Sequence, residues 1–555
     1  MPERALRRAI AEATAACADD GICEAAEAEA VRLERPPRAE MGDFAANTAM
    51  ALAGAAKMKP RELAQAIIER LELPEGLVER VEIAGPGFIN FHLSNQWLYD
   101  ALAAVLRQDA QYGRSTIAAG KRANVEFVSA NPVGPIHIGN ARGGPLGDVI
   151  ASLLEAIGYD VEREYYINDA EDNTQLIKFG ASVRARYLQA LGRAADVPED
   201  GYHGEYVAEY AELLAERHGE EYADSDEPDV FFADLVMPDV LEGLRRDCGD
   251  LGIEFDTWFS ERKLRSSDEV DTVLAALAER GETYERDEAT WLRTTAHEDD
   301  EDRVLVRRTG APTYLATDVA YHADKYGRGH DLLIDIWGPD HHGRIIPMRA
   351  AVECLGYAER DFELIMHQTV RLISGGEVVR MSKRGGTMVS LRDIMDAVGP
   401  EVARYLLLTR SADAHIDFDL EVARKQSDEN PVYYVQYAHT RMCGIFRTAA
   451  EADAPSGDLA AADLSVLQHE DELALLRLLA DFPGYVEAAA VARAPHRLTT
   501  FAQSLAQQFH QFYGSCRVLS EDAALTAARL ALVKGTQIVM RNALGLLGVS
   551  APEQM

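Results

Sequence analysis

Lysine is scarce in this chain, occurring only at Lys57, Lys59, Lys121, Lys178, Lys263, Lys325, Lys383, Lys425 and Lys534; arginine supplies the other cations. Against 56 basic residues stand 92 acidic ones, a formal net charge of −36 at pH 7. Phosphate contacts normally demand a basic surface. Either no nucleic acid is bound, or the protein works where salt already screens charge, with a Debye length of about 3 Å at 1 M. Abundant acid, little lysine and plentiful alanine point to the second, a protein from a halophile. Cys17, Cys23, Cys248, Cys354, Cys443 and Cys516 are scattered with no C-x-x-C pair, which argues against a zinc knuckle or disulfide framework. Two adjacent histidines, His341 and His342, diverge too much to share a metal, and the acidic run His297–Asp302 reads as a surface turn, so no resident metal is expected. No apolar run reaches the roughly 18 residues of a membrane span. The N-terminus mixes Arg4, Arg7 and Arg8 with Glu3 and Glu12 and has no apolar core, unlike an export signal. A cytoplasmic protein is expected.

At 555 residues the chain is long enough for about two to four domains. Its organising stretch runs from Val125 to Asn140. A β-branched and aromatic run, Val125-Glu126-Phe127-Val128, predicts a buried strand. The Pro/Gly-rich loop through Asn131, Pro132, Gly134 and Pro135 follows, and a helical pattern opens near Ala141. Strand, turn and helix start together favour an anion through free backbone N–H groups. His137 and Asn140 sit at that turn, and Gly139 lets a flat nucleotide approach the backbone. Far downstream, Arg380-Met381-Ser382-Lys383-Arg384 lies between glycines, a cationic loop suited to clamping polyphosphate.

A His-x-Gly-Asn turn followed by Met-Ser-Lys resembles the paired signatures of class I aminoacyl-tRNA synthetases. Tyr165-Tyr166-Ile167-Asn168-Asp169, the Tyr314–Tyr321 segment and Asn430-Pro431-Val432-Tyr433-Tyr434-Val435-Gln436-Tyr437-Ala438 narrow the resemblance to arginyl-tRNA synthetases and extend it over nearly the whole chain. It implies a multidomain α/β protein. Residues 1–112 would form an N-terminal additional α/β domain reading the tRNA D-loop. Residues 113–405 would form a Rossmann-like, doubly wound parallel-sheet catalytic domain with a helical insertion at about 178–250. Residues 406–555 would form an all-α anticodon-binding bundle, wholly helical from about residue 405.

The resemblance also assigns roles. ATP, with Mg²⁺, would be held by Pro135, His137, Gly139, Asn140, Met381, Ser382 and Lys383, with Arg380 assisting. Arginine would be held at its α-amino group by Ser129 and Asn131, and at its guanidinium by Tyr314 and Asp318, with Asp340 a second candidate carboxylate. tRNA(Arg) would meet Phe88 and Asn90, on the strand face opposite Ile89, Phe91 and Leu93, and Tyr433, Tyr437, Arg441 and the terminal Met555. A monomer is the family default. The chain departs from the family at Asn140, where many members have His, at Arg380, where the first lysine is replaced, and after Asp169. There, either Asn173 or Gln175 takes the place of a family glutamine. The rival readings are another class I synthetase, a nucleotidyltransferase outside translation, and a non-catalytic RNA-binding relative.

Overall fold

The computed structural model describes residues 2–36, 38–357, 361–379, 389–452 and 458–555. Arg380, Met381, Ser382, Lys383 and Arg384 lie outside the described residues.

The first body is an antiparallel sheet under helices. Its strands are β1 (Leu33–Glu34), β2 (Phe44–Ala46), β3 (Val78–Ala84) and β4 (Phe88–Leu93), in the order β1-β2-β4-β3. Alternation along β4 turns Ile89, Phe91 and Leu93 into a core with Leu6 and Ile10 of the helix Pro2–Asp19 and Leu63 and Ile67 of Pro60–Ile68. The opposite face corrects one expectation. Asn90 is only 2% exposed, because β4 is an inner strand whose Asn90 is flanked by Ala45 and Glu82. It is not an open amide edge, and Phe88 is half-buried.

The second body is built on β5 (Arg122–Glu126), β6 (Asp160–Ile167), β7 (Thr257–Ser260), β11 (Leu332–Trp337) and β12 (Asp361–Met366). They form one sheet in the order β12-β11-β5-β6-β7, every pair parallel. Chain order therefore reverses between β5 and β11, the switch point whose carboxyl edge opens a crevice in doubly wound sheets. The helix Gly143–Ala156 covers β5 closely: a Cβ on Gly147 would meet the Phe127 ring at 2.2 Å. An insertion of helices (Thr174–Ala190, Glu205–His218, Asp229–Asp250) follows β6. A small antiparallel sheet of β8 (Thr283–Arg286), β9 (Ala289–Leu292) and β10 (Arg303–Val306) precedes β11.

Beyond the crevice, β13 (Val370–Ser374) pairs antiparallel with β14 (Glu377–Val378) and parallel with β15 (Ile416–Asp419). This corrects the reading of the chain as wholly helical from about 405, since the four-residue β15 is too short to leave a periodic signal. Long helices then run through Pro431–Glu451, Glu470–Val491, His496–Ser515 and Ala523–Leu546. The last residues are docked rather than loose: Thr440 Oγ1 donates to Pro552 O and Ser550 Oγ to Glu401. Buried Arg404 ties the bodies together, donating to Leu547 O and Leu251 O and pairing with Asp148. No helix among the described residues is long and apolar enough to cross a membrane.

Candidate active site

β5 ends at Glu126, earlier than its apolar run, because Val128 and Ser129 both take positive φ (67° and 38°). That conformation is costly for a β-branched residue and marks a backbone held by its surroundings. Ser129 Oγ donates to Glu126 Oε1 at 2.9 Å and accepts from Tyr166 N, while Asn168 Nδ2 donates to Ser129 O. Asn131 Oδ1 accepts from Asn173 Nδ2 at 3.0 Å, and Asn173 also donates to Asn168 O and caps the following helix. Asn173 rather than Gln175 is thus wired to Asn131; Gln175 is exposed and meets Tyr202.

The helix starts at Ile138, with His137 as its N-cap, and breaks at Arg142 before continuing as Gly143–Ala156. His137 Nδ1 accepts from Gly139 N at 2.9 Å, which leaves the proton of a neutral ring on Nε2. Asn140 is exposed beside it, and its side-chain oxygen lies across the crevice from Gly338 at the end of β11. Buried His367 lines the floor: its Nε2 would lie 3.3 Å from a Cβ on Gly143 and 3.8 Å from one on Gly338. Burial pushes the His367 imidazole down to about 4, so it is neutral near pH 7.

A second, acidic wall stands on the helix Tyr314–Gly327, capped by Thr313. Tyr314 is 45% exposed and lies under the Arg265 guanidinium, 5.2 Å from the ring centroid. One turn on, Asp318 accepts from Arg344 Nη2 at 2.6 Å. Burial raises the Asp318 carboxyl and Arg344 opposes the shift. Burial likewise lifts Glu261 to about 7, against the pull of Arg265 at 2.7 Å. The hydroxyl of Tyr166 is buried with no hydrogen-bond partner among the described residues; burial raises its pKa, and the charges of Glu261 and Asp318 add to the shift. Asp340 is exposed on the turn Pro339–Arg344. Beneath both walls runs a buried relay. Lys325 Nζ lies 2.6 Å from Glu126 and 2.8 Å from Asp335, and Asp335 meets His322 Nε2 at 2.8 Å.

Residues 101–181 match the family model "tRNA synthetases class I (R), catalytic domain", residues 4–93 "Arginyl tRNA synthetase N terminal domain" and residues 435–555 "DALR anticodon binding domain". An arginine--tRNA ligase of Desulforamulus reducens is 46% identical over 552 residues, 99% of this chain and 98% of its own. One from Moorella thermoacetica is 47% identical over 558 residues, covering 100% and 99%. The chain belongs to the arginyl-tRNA synthetase family. Its fold is that of the Thermus thermophilus arginyl-tRNA synthetase, at TM-score 0.76 and 23% identity with both chains fully covered. It is accordingly an ATP-dependent ligase that charges tRNA with arginine.

In this synthetase the helix Pro431–Glu451 carries Tyr433, Tyr437 and Arg441 to one pocket of about 570 Å³, completed by Tyr434, His510 and Tyr513. The Tyr433 and Tyr437 rings stack at 6.0 Å, and the Arg441 guanidinium lies 4.4 Å from the Tyr513 centroid. Met555 is exposed. Sequence reasoning missed Glu126, Tyr166, Glu261, Arg265, Arg344 and His367. Tyr166 alone left a signal: in the doublet Tyr165-Tyr166 strand alternation sends one ring toward Trp258 and the other toward Tyr321.

Proposed function

We propose that the crevice at the β5/β11 switch point activates arginine with MgATP through the following groups. His137 donates from Nε2 to the α-phosphate, Asn140 and Pro135 border the ribose and Gly139 gives the nucleotide room. Lys383, with Arg380, Met381 and Ser382 on the same loop, neutralises the departing pyrophosphate. The substrate α-amino group is held by Ser129 and Asn131, and its guanidinium by Tyr314 and Asp318. The arginine carboxylate oxygen then attacks the α-phosphorus, the bond to pyrophosphate breaks and arginyl-adenylate forms. The 2′-hydroxyl of the terminal adenosine next attacks the carbonyl carbon and AMP leaves. Positioning and charge stabilisation carry the rate.

The observation that carries this reading is the Asp318–Arg344 pair: the carboxylate assigned to the substrate guanidinium already holds a guanidinium. Planar, bidentate-capable geometry is what separates arginine from lysine. Arginine-dependent ATP–pyrophosphate exchange, measured with and without tRNA, tests it. Exchange that depends on arginine and is lost in Asp318→Asn is expected; exchange supported equally by lysine would overturn it.

The same reading gives residues 1–112 to the tRNA D-loop, 113–405 to catalysis and 406–555 to the anticodon, in a cytoplasmic monomer that needs no resident metal for its chemistry. The acid excess supports a halophilic source. tRNA is then held by stacking and hydrogen bonds at Phe88, Tyr433, Tyr437 and Arg441 more than by phosphate contacts.

A further inference from the structure

Away from the crevice, three chemically different ligands converge where the β8–β10 sheet meets the helix Ile345–Cys354. Glu282 directly precedes β8, His297 ends the turn Thr294–His297 and Cys354 ends the helix. A carboxylate oxygen, an imidazole nitrogen and the thiol sulfur all lie within 4.8 Å of one another. Cys354 is fully buried. His297 Nε2 is 3.3 Å from Glu282 Oε2, and Nδ1 is 3.4 Å from Glu353 Oε2. Both ring nitrogens thus face carboxylates, whereas a neutral imidazole carries one N–H. With that hydrogen directed at Glu353, Nε2 is left as a donor atom turned toward Glu282 and close to the Cys354 sulfur.

We propose that Glu282, His297 and Cys354 bind one divalent transition metal, zinc by preference. Carboxylate, imidazole and thiolate together suit zinc, which accepts all three in tetrahedral geometry. Glu282 and, once the metal displaces its proton, Cys354 are anionic, so a bound dication leaves the cluster neutral. Glu353 acts one step out, orienting His297 through Nδ1 as carboxylates do behind metal-bound histidines. His297 and Glu353 also line a cavity of about 630 Å³ together with Arg349, Tyr357 and Asp361, through which water can reach the site. The metal staples the β8–β10 sheet to the helix that begins just after Arg344, so its role is structural. Nothing in the spacing announces the site. His297 opens an acidic run that reads as a solvated turn, and its partner Glu282 is 15 residues away.

The test is titration of the chelator-treated full-length protein with Co²⁺, read by absorption, followed by competition with Zn²⁺ and by thermal melting. Tetrahedral d–d bands and a near-ultraviolet thiolate-to-cobalt band saturating at one ion per chain are expected, with zinc displacing cobalt and raising Tm. Cys354→Ser should abolish the thiolate band, His297→Gln should abolish saturable binding, and Glu353→Gln should weaken binding roughly 10–100-fold. Absence of a thiolate band in the unmutated protein overturns the proposal whatever the variants do. So does a thiolate band that survives in Cys354→Ser, or saturable binding that survives in His297→Gln.

Discussion

His137 and Ser390 face one another across an isolated antiparallel bridge. On either side of it Ile138 N donates to Val389 O at 3.1 Å and Leu391 N to Ile136 O at 2.7 Å. The segment after Met381-Ser382-Lys383 therefore returns to the chain at the imidazole of the nucleotide turn.

Ser390, which meets the His137 turn, follows Lys383 in the chain by only seven residues. Lys383→Ala should lower kcat for ATP–pyrophosphate exchange by about 10²–10³, the loss typical of one preorganised charge-stabilising donor. The KM for arginine should hardly move. A rise in that KM with kcat intact would mean that Lys383 serves binding and not the departing pyrophosphate.

Arg344 occupies the carboxylate that the substrate is to use. Arg344→Ala should therefore lower the KM for arginine while leaving that for ATP unchanged. Asp318→Asn should cut kcat/KM for arginine by roughly 10²–10³, as expected for an unpaired buried charge partner. Because burial raises the Asp318 carboxyl, arginine affinity should fall on acidification from neutrality before ATP affinity does. Isothermal titration with each substrate across the acid range reads this directly.

His367 carries a pH signature in stability. Its buried imidazole titrates near 4 against 6.5 for the free side chain, so between these values the unfolded chain binds the extra proton. Stability is complete above pH 6.5 and drains as pH falls toward 4, by about 3 kcal/mol at the lower limit. Denaturant melts of His367→Gln at pH 7 and pH 4.5 should show a smaller difference than the parent protein. Equal differences would show that this ring does not contribute.

The tyrosine pocket predicts a salt response. Tyr437→Ala should weaken tRNA(Arg) binding by about 1–3 kcal/mol, the usual worth of one stacked base. Between about 1 and 3 M salt, log affinity against log salt should have the shallow slope of roughly one or two phosphates. A steep slope would return the weight to ionic contacts.

That His137 and Asn140 share one turn, with Ser129 and Asn131 on the loop leading into it, was legible because these residues are neighbours in the chain. That Tyr314 and Asp318 lie one turn apart on a single helix was legible through their spacing. The groups that hold them were not, since Lys325 reads as an ordinary helix residue until the fold brings it to Glu126, 199 positions away. Arg344 and Arg265 read as surface arginines in a chain full of them. Alternation correctly put Asn90 opposite Phe91, but it carries no knowledge of the flanking strands that cover it. β15 escaped for want of length.

Arg142 sits at the break between the short helix of the nucleotide turn and the helix Gly143–Ala156. Its buried guanidinium donates to the carbonyls of Arg410, Ser411, Ala412 and Ala414, so the helix that frames the nucleotide turn is locked by chain made 268–272 residues later. On the ribosome, where domains generally fold from the N-terminus, that helix must wait with an unsatisfied buried cation until residue 414 has emerged. The N-terminal body can mature early, and the catalytic centre becomes competent only late in synthesis.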